Sequence, residues 1–419
     1  MVGTSPLKVG ASLLKVGASL PMVGTSLLKV GASLLLVAAL VAVTACSGGR
    51  DDRARVRQPM PPHALDVTVA TSTTVATVPT TIGPVPGRDV PLPSNVPMTP
   101  LQPGQRPPQF VLFSFDGAGD HEAWQEFTAG AATVNARFTG FLTGTYLLTD
   151  AARGAYTGPD HKPGAASVSF GGSPDRVQTL VDDLNRAWLA GHEIGTHYNG
   201  HFCNGAGASG DDWSTQDWDS EIGQFGNLWQ NWAAIDGIAN PRPLLVPLSA
   251  VRGGRTPCLE GRWEQLQGAW QAAGYTYDSS IPGTGIAWPR IEYGVWEFHM
   301  PYIQSPALGG VTAMDYNFWV KFNGGREQPE RGPELGAKVL DTYRHMYDVA
   351  FTTTRAPVVI ANHFNTWNGD AFNPAALAFM TETCARPETI CATYSDVIAW
   401  MGVQDPAVLA ALQAQPPVT

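Results

Sequence analysis

The sequence has few charged residues and no run of basic ones. Lys, Arg, Asp and Glu together make up 15% of the 419 residues, and the formal net charge is −10. Proteins that bind nucleic acid usually carry clustered Lys and Arg that neutralise phosphates. We therefore expect no nucleic-acid partner.

Several motifs of common metal sites and hydrolases are also absent. There is no Cys-x-x-Cys, so the sequence does not support a zinc ribbon or a thioredoxin-like site. The region from residue 109 onward lacks the Gly-x-Ser-x-Gly of α/β-hydrolases. His192 and Glu193 form an adjacent His-Glu pair, as in the zincin motif His-Glu-x-x-His. The next histidine, His197, lies one position too far along the chain for that motif.

The sequence also lacks an apolar run long enough for a comfortable membrane span. Val30–Val43 is apolar but short, it follows Lys29, and small residues precede Cys46. This pattern predicts a secretory signal over residues 1–46, a region that also contains a seven-residue repeat. Val43-Thr-Ala-Cys46 resembles the lipobox of bacterial lipoproteins, which implies a lipidated Cys46 anchored at the outer face of the cell membrane. A plain cleaved signal is the alternative.

Composition divides the rest of the chain into three parts. Residues 47–108 are rich in Pro, Thr and Val and poor in aromatics, so they predict a disordered, extended stalk. Residues 109–405 are long enough for one large core and form the predicted domain. Residues 406–419 are expected to be a C-terminal tail.

The predicted domain alternates strands and helices. Phe110–Phe115 is a continuous apolar run, typical of a strand buried in a parallel sheet, and Phe138–Leu148 is predicted as a second strand. Pro174–Ala190 and Trp263–Ala273 have helical spacing. The apolar face of the helix predicted from Ser214 to Trp232 carries several Trp residues, which this spacing favours as core. Such alternation indicates an α/β barrel whose chemistry lies at the carboxyl ends of the strands.

Four cysteines remain after Cys46, and an exported chain favours two disulfides. Cys384 and Cys391 are close enough in sequence to close one loop. Cys203 and Cys258 would then pair by elimination.

Two histidines and a carboxylate form the clearest candidate site. His197 and His201 lie four residues apart just after a strand-like run, and Asp116 ends an apolar strand about eighty residues earlier. Two neutral imidazoles and a carboxylate are the ordinary ligands of a hydrolytic metal site that keeps one position open for water.

Five motifs in order resemble those of the polysaccharide deacetylase family (NodB homology, carbohydrate esterase family 4). They are Phe113-Ser-Phe-Asp116, Gly191-His-Glu-Ile-Gly-Thr-His197 with His201, Arg255-Thr-Pro-Cys258, Tyr275-Thr-Tyr-Asp-Ser-Ser280 and Ile360-Ala-Asn-His363. The similarity spans about residues 109–402, and its end most resembles the chitin-deacetylase branch. It implies a distorted (β/α) barrel that holds a divalent metal, usually zinc (Zn²⁺), and removes acetyl groups from glycans.

The resemblance also implies a role for each residue. His197 and His201 would bind the metal, and Asp116 would be the base that takes a proton from water. Arg255 would orient Asp116, a position for which Arg252 is the nearby competitor. His363 would be the acid that protonates the departing amine.

The roles of two further residues follow less directly from the motifs. Asp278 either tunes the acid His363 or supports the fold. Trp367, just beyond His363, is a candidate wall of the sugar site.

The chain departs from the family after Asp116. The family has a second aspartate there, which binds the metal, but this chain has Gly117. Three hypotheses follow: Asp120 loops back to the metal, Asp116 itself becomes the ligand, or the metal is weak or absent. Tyr198 also replaces the usual Ser or Thr after the first histidine.

These observations predict a metal-dependent carbohydrate deacetylase, acting on amide bonds of an N-acetylated cell-envelope polysaccharide such as peptidoglycan or a chitin-like glycan. The alternative is a catalytically impaired lipoprotein of the same fold that binds wall glycan without turnover. We expect a monomer that is tethered to the membrane only through Cys46.

Overall fold

The computed structural model describes residues 90–205 and 207–419. The predicted signal over residues 1–46 and the stalk up to residue 89 lie outside the described residues. None of the helices in the described part combines the length and the apolar character that crossing a bilayer requires.

The segment from Val90 to Pro108, which the composition assigns to the stalk, packs against the domain. The Asn95 side-chain amide donates to the backbone oxygens of Asn135 and Cys391, at 2.7 and 2.9 Å. Val96 is buried. The backbone N–H groups of Leu92 and Leu101 donate to the Leu189 carbonyl and the Gln404 side chain, at 3.0 and 2.9 Å. The folded part therefore begins well before residue 109.

The predicted tail is structured as well. It contains a helix over Pro406–Gln413, and Val418 exchanges two backbone hydrogen bonds with Ile286, at 2.7 and 3.0 Å. Leu412 of this helix is buried, and Val408 and Leu409 pack partly buried against the core.

Strands alternate with helices in the first and last parts of the described chain, whereas the strands between residues 277 and 312 follow one another without an intervening helix. In chain order the strands are β1 Gln109–Asp116, β2 Phe138–Leu142, β3 Glu193–Thr196, β4 Gly253–Gly254, β5 Tyr277–Asp278, β6 Pro282–Gly283, β7 Arg290–Glu292, β8 Val295–Glu297, β9 Met300–Ser305, β10 Gly309–Thr312, β11 Val358–His363 and β12 Thr389–Cys391. Every residue of β1 is buried, as its uninterrupted apolar run predicts for a strand covered on both faces.

The helices pack outside the sheet and bury their apolar faces against it. In chain order they are α1 His121–Thr133, α2 Pro174–Leu189, α3 Thr215–Ile235, α4 Trp263–Ala273, α5 Asp315–Asn323, α6 Gly332–Thr352, α7 Trp367–Asp370, α8 Phe372–Cys384, α9 Tyr394–Gly402 and α10 Pro406–Gln413. The Trp face of α3 belongs to the core, as its helical spacing indicates, since Trp218, Trp229 and Trp232 are all buried.

The main sheet is largely parallel and curves into an irregular barrel. Its order is β11-β1-β2-β3-β4-β5-β8-β7, with β12 also on β1, and only β7 runs antiparallel to its neighbour. The chain continues from β5 into β6, which pairs in parallel with β9. Ala313 donates to the Pro301 carbonyl, and Met314 bridges to Ala361 of β11, which completes the circuit. The predicted α/β class and distorted barrel are confirmed.

Both predicted cysteine pairs are disulfides in the structure. Cys203 bonds to Cys258, and Cys384 bonds to Cys391. The first bridge joins the loop after His201 to the loop after Arg255, so it ties together two of the segments that carry candidate site residues.

Candidate active site

The candidate residues meet at the carboxyl ends of the barrel strands. Asp116 is the last residue of β1, and its Cα partner in the parallel register is His363, the last residue of β11. His197 follows β3, and Arg255 follows β4, its strand neighbour. Because the carboxyl ends of parallel strands lie at one edge, residues from distant parts of the sequence share one site.

Asp116 and Arg255 form a buried ion pair at the centre of this edge. Arg255 Nη1 donates to Asp116 Oδ1 at 2.7 Å, and both side chains are almost fully buried. Burial is the largest influence on the Asp116 carboxyl and would raise its pKa. The charge and hydrogen bond of Arg255, together with the neighbouring imidazoles, outweigh burial, so the pKa lies below its usual value and Asp116 is ionised.

Arg255 is itself fixed by neighbours on three sides. Its Nε donates to the Ser279 carbonyl at 2.7 Å, and its Nη2 donates to the hydroxyls of Ser279 and Tyr394, at 2.9 and 3.0 Å. Ser114 of β1 accepts from both Nη atoms at 3.2 Å. The guanidinium therefore has little freedom, and it is Arg255, not the exposed Arg252, that faces Asp116.

His197 and His201 lie side by side next to the ion pair. Their ring centroids are 5.0 Å apart. His197 Nδ1 contacts the Arg255 carbonyl oxygen at 2.8 Å, while its Nε2 is buried without a hydrogen-bond partner. Burial lowers the pKa of His197 to about 3 and that of His201 to about 4, so both imidazoles are neutral at physiological pH.

The donors present fit a divalent metal such as zinc. A histidine that binds a metal through one ring nitrogen normally donates its other ring N–H to a carbonyl or carboxylate. His197 Nδ1 contacts the Arg255 carbonyl, which leaves the lone pair of Nε2 for a metal. His201 supplies a second imidazole, and the ionised Asp116 lies within electrostatic range of both. Imidazoles are ligands that zinc prefers, although Asp116, His197 and His201 do not bring three ligand atoms within 4.8 Å of one another.

A second group of potential ligand atoms lies beside His201. Among residues 90–205 and 207–419, only His201, Cys203 and Cys258 place three such atoms within 4.8 Å of one another. The two sulfurs are joined in a disulfide, however, and zinc binds thiolates. This cluster is therefore not a zinc site while the bridge is intact.

Asp120, one of the proposed metal ligands, is occupied elsewhere. Its carboxylate caps the amino terminus of α1 by accepting from the Ala123 backbone N–H at 2.9 Å. Burial and the nearby charge of Asp120 raise the pKa of the Asp370 carboxyl. The structure does not bring Asp120 together with His197 and His201, because capping turns its side chain onto its own helix.

Gly117 leaves an open place beside Asp116. Its φ is +69°, and a Cβ added there would meet Tyr146 Oη at 3.6 Å and Thr143 Oγ1 at 3.7 Å. These are ordinary contact distances, so the site has room for a side chain. The backbone conformation, in contrast, favours glycine.

His363 is held by an aspartate that the sequence motifs did not reveal. Asp315, the first residue of α5, accepts from His363 Nδ1 and from the His363 backbone N–H, both at 2.7 Å. Burial would lower the pKa of His363, but the charge and hydrogen bond of Asp315, together with the charge of Asp116, outweigh burial and raise that pKa above its usual value. The imidazole can therefore keep a proton near neutral pH.

The hydrogen bonds of Asp278 go to Ser280 and not to His363, the acid whose pKa Asp278 was one candidate to tune. It accepts from the Ser280 backbone N–H and hydroxyl, at 2.7 and 2.8 Å, and faces Glu297. Burial raises the pKa of Asp278 to about 6, and burial beside Asp278 raises that of Glu297 further. Because Asp315 is the partner of His363, Asp278 supports the strand ends beneath the site.

Aromatic side chains line the site beyond His363. The ring centroids of His363 and Trp367 are 5.2 Å apart. Trp367 stacks on Trp319 at 4.8 Å and meets the half-exposed Tyr316 edge-on at 5.7 Å. Trp367 was the only member of this cluster that the sequence indicated.

A cavity of about 540 Å³ lies at the other end of the barrel. It is lined by residues at the amino end of β3, including His192 and Glu193, and by Leu92 of the N-terminal segment. The residues that line this cavity do not include Asp116 or the side chains that converge around it, His197, His201, Arg255 and His363. The candidate chemistry is therefore separate from this cavity.

Comparison with known proteins gives structural similarities only. No family profile and no curated protein matches the chain. A Mycobacterium smegmatis protein whose name assigns it to the polysaccharide deacetylases is 18% identical with a TM-score of 0.42, covering 77% of this chain and 97% of the other.

Two further structures are similar at lower scores. A family 4 carbohydrate esterase from Streptomyces lividans is 13% identical with a TM-score of 0.36, covering 70% of this chain and 95% of its own. The peptidoglycan deacetylase PdaC from Bacillus subtilis is 11% identical with a TM-score of 0.34, covering 72% and 94%. At these identities and scores, the similarities assign neither a family nor an activity to this chain.

Proposed function

We propose that the protein is a metal-dependent hydrolase that removes acetyl groups from an N-acetylated cell-envelope polysaccharide. The observation that carries this proposal is the convergence of an ionised carboxylate, two neutral imidazoles and a third imidazole with a raised pKa. Two groups whose pKa values are pushed in opposite directions by their surroundings suit one base and one acid.

Asp116 is the proposed base. Its carboxylate is fixed by Arg255 and lies beside the two histidines, so it can accept a proton from a water that attacks the acetyl carbonyl. Arg255 holds one oxygen in place, which leaves the other for the water. The bound metal, for which His197 and His201 are the donors, would polarise the carbonyl and the attacking water.

His363 is the proposed acid. Hydrolysis of an amide requires a proton for the departing amine, and a histidine with a raised pKa can deliver it at neutral pH. Asp315 holds the Nδ1 side of the ring, so the Nε2 side is presented to the substrate. The pair Asp315–His363 therefore both orients the ring and retains its proton.

A glycan suits the surroundings of this site. Trp367 and the half-exposed Tyr316 present ring faces and edges beside His363, and sugar rings pack well on aromatic surfaces. The lipobox-like sequence at Cys46 supports an envelope location, so peptidoglycan or another wall polymer is the proposed substrate class. We propose zinc as the metal and a lipid-anchored monomer as the working form.

The test is release of acetate by the purified full chain, loaded with zinc, from N-acetylglucosamine oligomers and from peptidoglycan fragments. We expect release that depends on zinc and disappears in Asp116→Asn and in His363→Gln. A zinc-loaded, folded protein that releases no acetate from any of these substrates would contradict the proposal.

The second candidate is a glycan-binding lipoprotein without turnover. Two observations favour it: residue 117 has no side chain, and Asp120 caps α1. Both reduce the anionic ligands available to a metal. Glycan binding that persists after removal of metal, without acetate release, would support this candidate over the enzyme.

A further inference from the structure

The turn that joins the two metal-donor histidines has an unusual backbone. Tyr198 and His201 both have a φ of +53°, although neither is glycine. The left-handed conformation is strained for residues that carry a side chain. Neighbouring groups must therefore hold this turn in place.

A buried carboxylate from another element provides that hold. Glu221 of α3 is fully buried, and its Oε1 accepts from the backbone N–H groups of Asn199 and Gly200, at 2.9 and 3.3 Å. The Asn199 side-chain amide donates to the Glu221 carbonyl at 2.7 Å. Tyr156 donates its hydroxyl to the carboxylate at 2.9 Å. Glu221 thus contacts the turn through both its side chain and its backbone.

The partners of Glu221 explain why it is tied to this turn. Within the described residues it forms no ion pair with Lys, Arg or His. A buried carboxylate needs hydrogen-bond donors, and buried backbone N–H groups need acceptors. The turn and Glu221 therefore satisfy one another, and the Tyr156 hydroxyl is a further partner of both.

We propose that Glu221 is a positioning residue that fixes the turn from His197 to His201 so that both imidazoles face the same metal. This inference rests on the proposed function, in which those two histidines bind the metal. Glu221 contacts neither the metal nor the substrate; it acts through Asn199 and Gly200.

Four variants separate this role from a general contribution to packing. Glu221→Ala removes the acceptor of both turn amides, and Glu221→Gln keeps one acceptor oxygen in the same volume. Tyr156→Phe removes a donor to the same carboxylate, together with the contact of that hydroxyl with the Gly200 backbone, but leaves the Glu221 acceptor in place. Asp219→Asn, on the exposed side of α3, is the surface control.

Two measurements on the full chain test the proposal. Hydrogen exchange reports on the Asn199 and Gly200 amides without metal, and competition with a chromophoric chelator gives the zinc affinity. For Glu221→Ala we expect faster exchange at both amides and zinc binding weakened by about 10–100-fold. Glu221→Gln should lie between it and the wild type, Tyr156→Phe should bind zinc more tightly than Glu221→Ala, and Asp219→Asn should match the wild type.

The outcomes also separate this proposal from the proposed function. If wild-type protein binds no zinc, the metal-dependent function fails, and amide exchange alone decides whether Glu221 holds the turn. If Glu221→Ala does not fold, Glu221→Gln carries both measurements. Unchanged exchange at both amides, or wild-type zinc affinity in the folded Glu221 variants, would overturn the proposal.

Discussion

Arg255 and Asp116 form an ion pair at 2.7 Å in which both side chains are nearly inaccessible to solvent. The guanidinium of Arg255 also donates hydrogen bonds to Ser279, Tyr394 and Ser114, so its position is fixed before any substrate binds. A pre-organised charge of this kind contributes to catalysis without reorganisation during the reaction. The same pair links the β1 and β4 sides of the barrel.

The first prediction concerns the loss of Arg255. In Arg255→Ala the Asp116 carboxylate is left buried without its partner, which costs about 3–5 kcal/mol in the free energy of unfolding. Acetate release should also be lost, because Asp116 is then neither oriented nor held ionised. Urea denaturation and an acetate assay on the folded fraction measure the two effects.

Two comparisons make this prediction specific. Arg255→Lys keeps the charge but not the planar fork, so it should recover stability more than activity. Arg242 pairs with Asp182 on the surface, and Arg242→Ala should change neither stability nor activity measurably. Equal stability losses in Arg255→Ala and Arg242→Ala would contradict the assigned importance of the buried pair.

The second prediction concerns the pH dependence of activity. The acid His363 must be protonated, so activity is present below its pKa and is lost as the pH rises through it. Asp315 raises that pKa, so removing the charge in Asp315→Asn should move the alkaline limb of kcat/KM to lower pH. The pH profiles of wild type and variant, with NMR titration of the His363 ring, measure this shift.

Asp278 offers the matched comparison. It lies in the buried pair with Glu297, and its hydrogen bonds go to Ser280 and not to His363. A folded Asp278→Asn variant should therefore keep the wild-type alkaline limb. A shift of the alkaline limb in Asp278→Asn with none in Asp315→Asn would show that Asp278, and not Asp315, sets the pKa of His363.

Local sequence patterns predicted the long elements of this fold closely. The helix predicted over Trp263–Ala273 has those bounds in the structure, and β1 follows its apolar run. The strand predicted over Phe138–Leu148, in contrast, ends at Leu142. A Cβ at Gly144 would lie 2.1 Å from Asn199 Oδ1, and Gly144 donates to the Tyr198 carbonyl. Contact with the histidine turn therefore overrides the local strand pattern.

The residues that hold the site were harder to predict than those that form it. Asp116, His197 and His363 each follow an apolar strand, so the motif and the strand end point to the same edge. Asp315 and Glu221 instead reach the site from helices, across 48 residues to His363 and 22 residues to Asn199. Nothing in the local sequence distinguishes such an aspartate or glutamate from a surface one.

The third prediction concerns the two disulfides. A cross-link restricts the unfolded chain more when it closes a longer loop. Cys203–Cys258 spans 55 positions and Cys384–Cys391 spans 7. Replacing the first pair by alanine should cost about 4 kcal/mol, and replacing the second about 2–3 kcal/mol.

Urea denaturation without reductant measures this difference. Zinc affinity provides an independent readout, because only the Cys203–Cys258 bridge adjoins His201. The variant lacking this bridge should bind zinc more weakly, and the variant lacking Cys384–Cys391 should not. The reverse order of stability losses would contradict the loop-length argument.

The fourth prediction concerns the missing side chain at residue 117. Gly117→Asp would place a carboxylate beside Asp116 in space that has room for it, since the nearest atoms to the new Cβ are 3.6 and 3.7 Å away. If Gly117 limits metal binding, this variant should bind zinc at least about tenfold more tightly, or about 1.4 kcal/mol. The φ of +69° should cost about 1–2 kcal/mol of stability.

Gly117→Ala is the control, because it carries the same backbone penalty without a carboxylate. It should lose stability as Gly117→Asp does but leave the zinc affinity at the wild-type value. Acetate release that rises only in Gly117→Asp would show that the wild-type site is limited by its missing anionic ligand. Equal zinc affinities in the aspartate and alanine variants would instead mean that residue 117 does not face the metal.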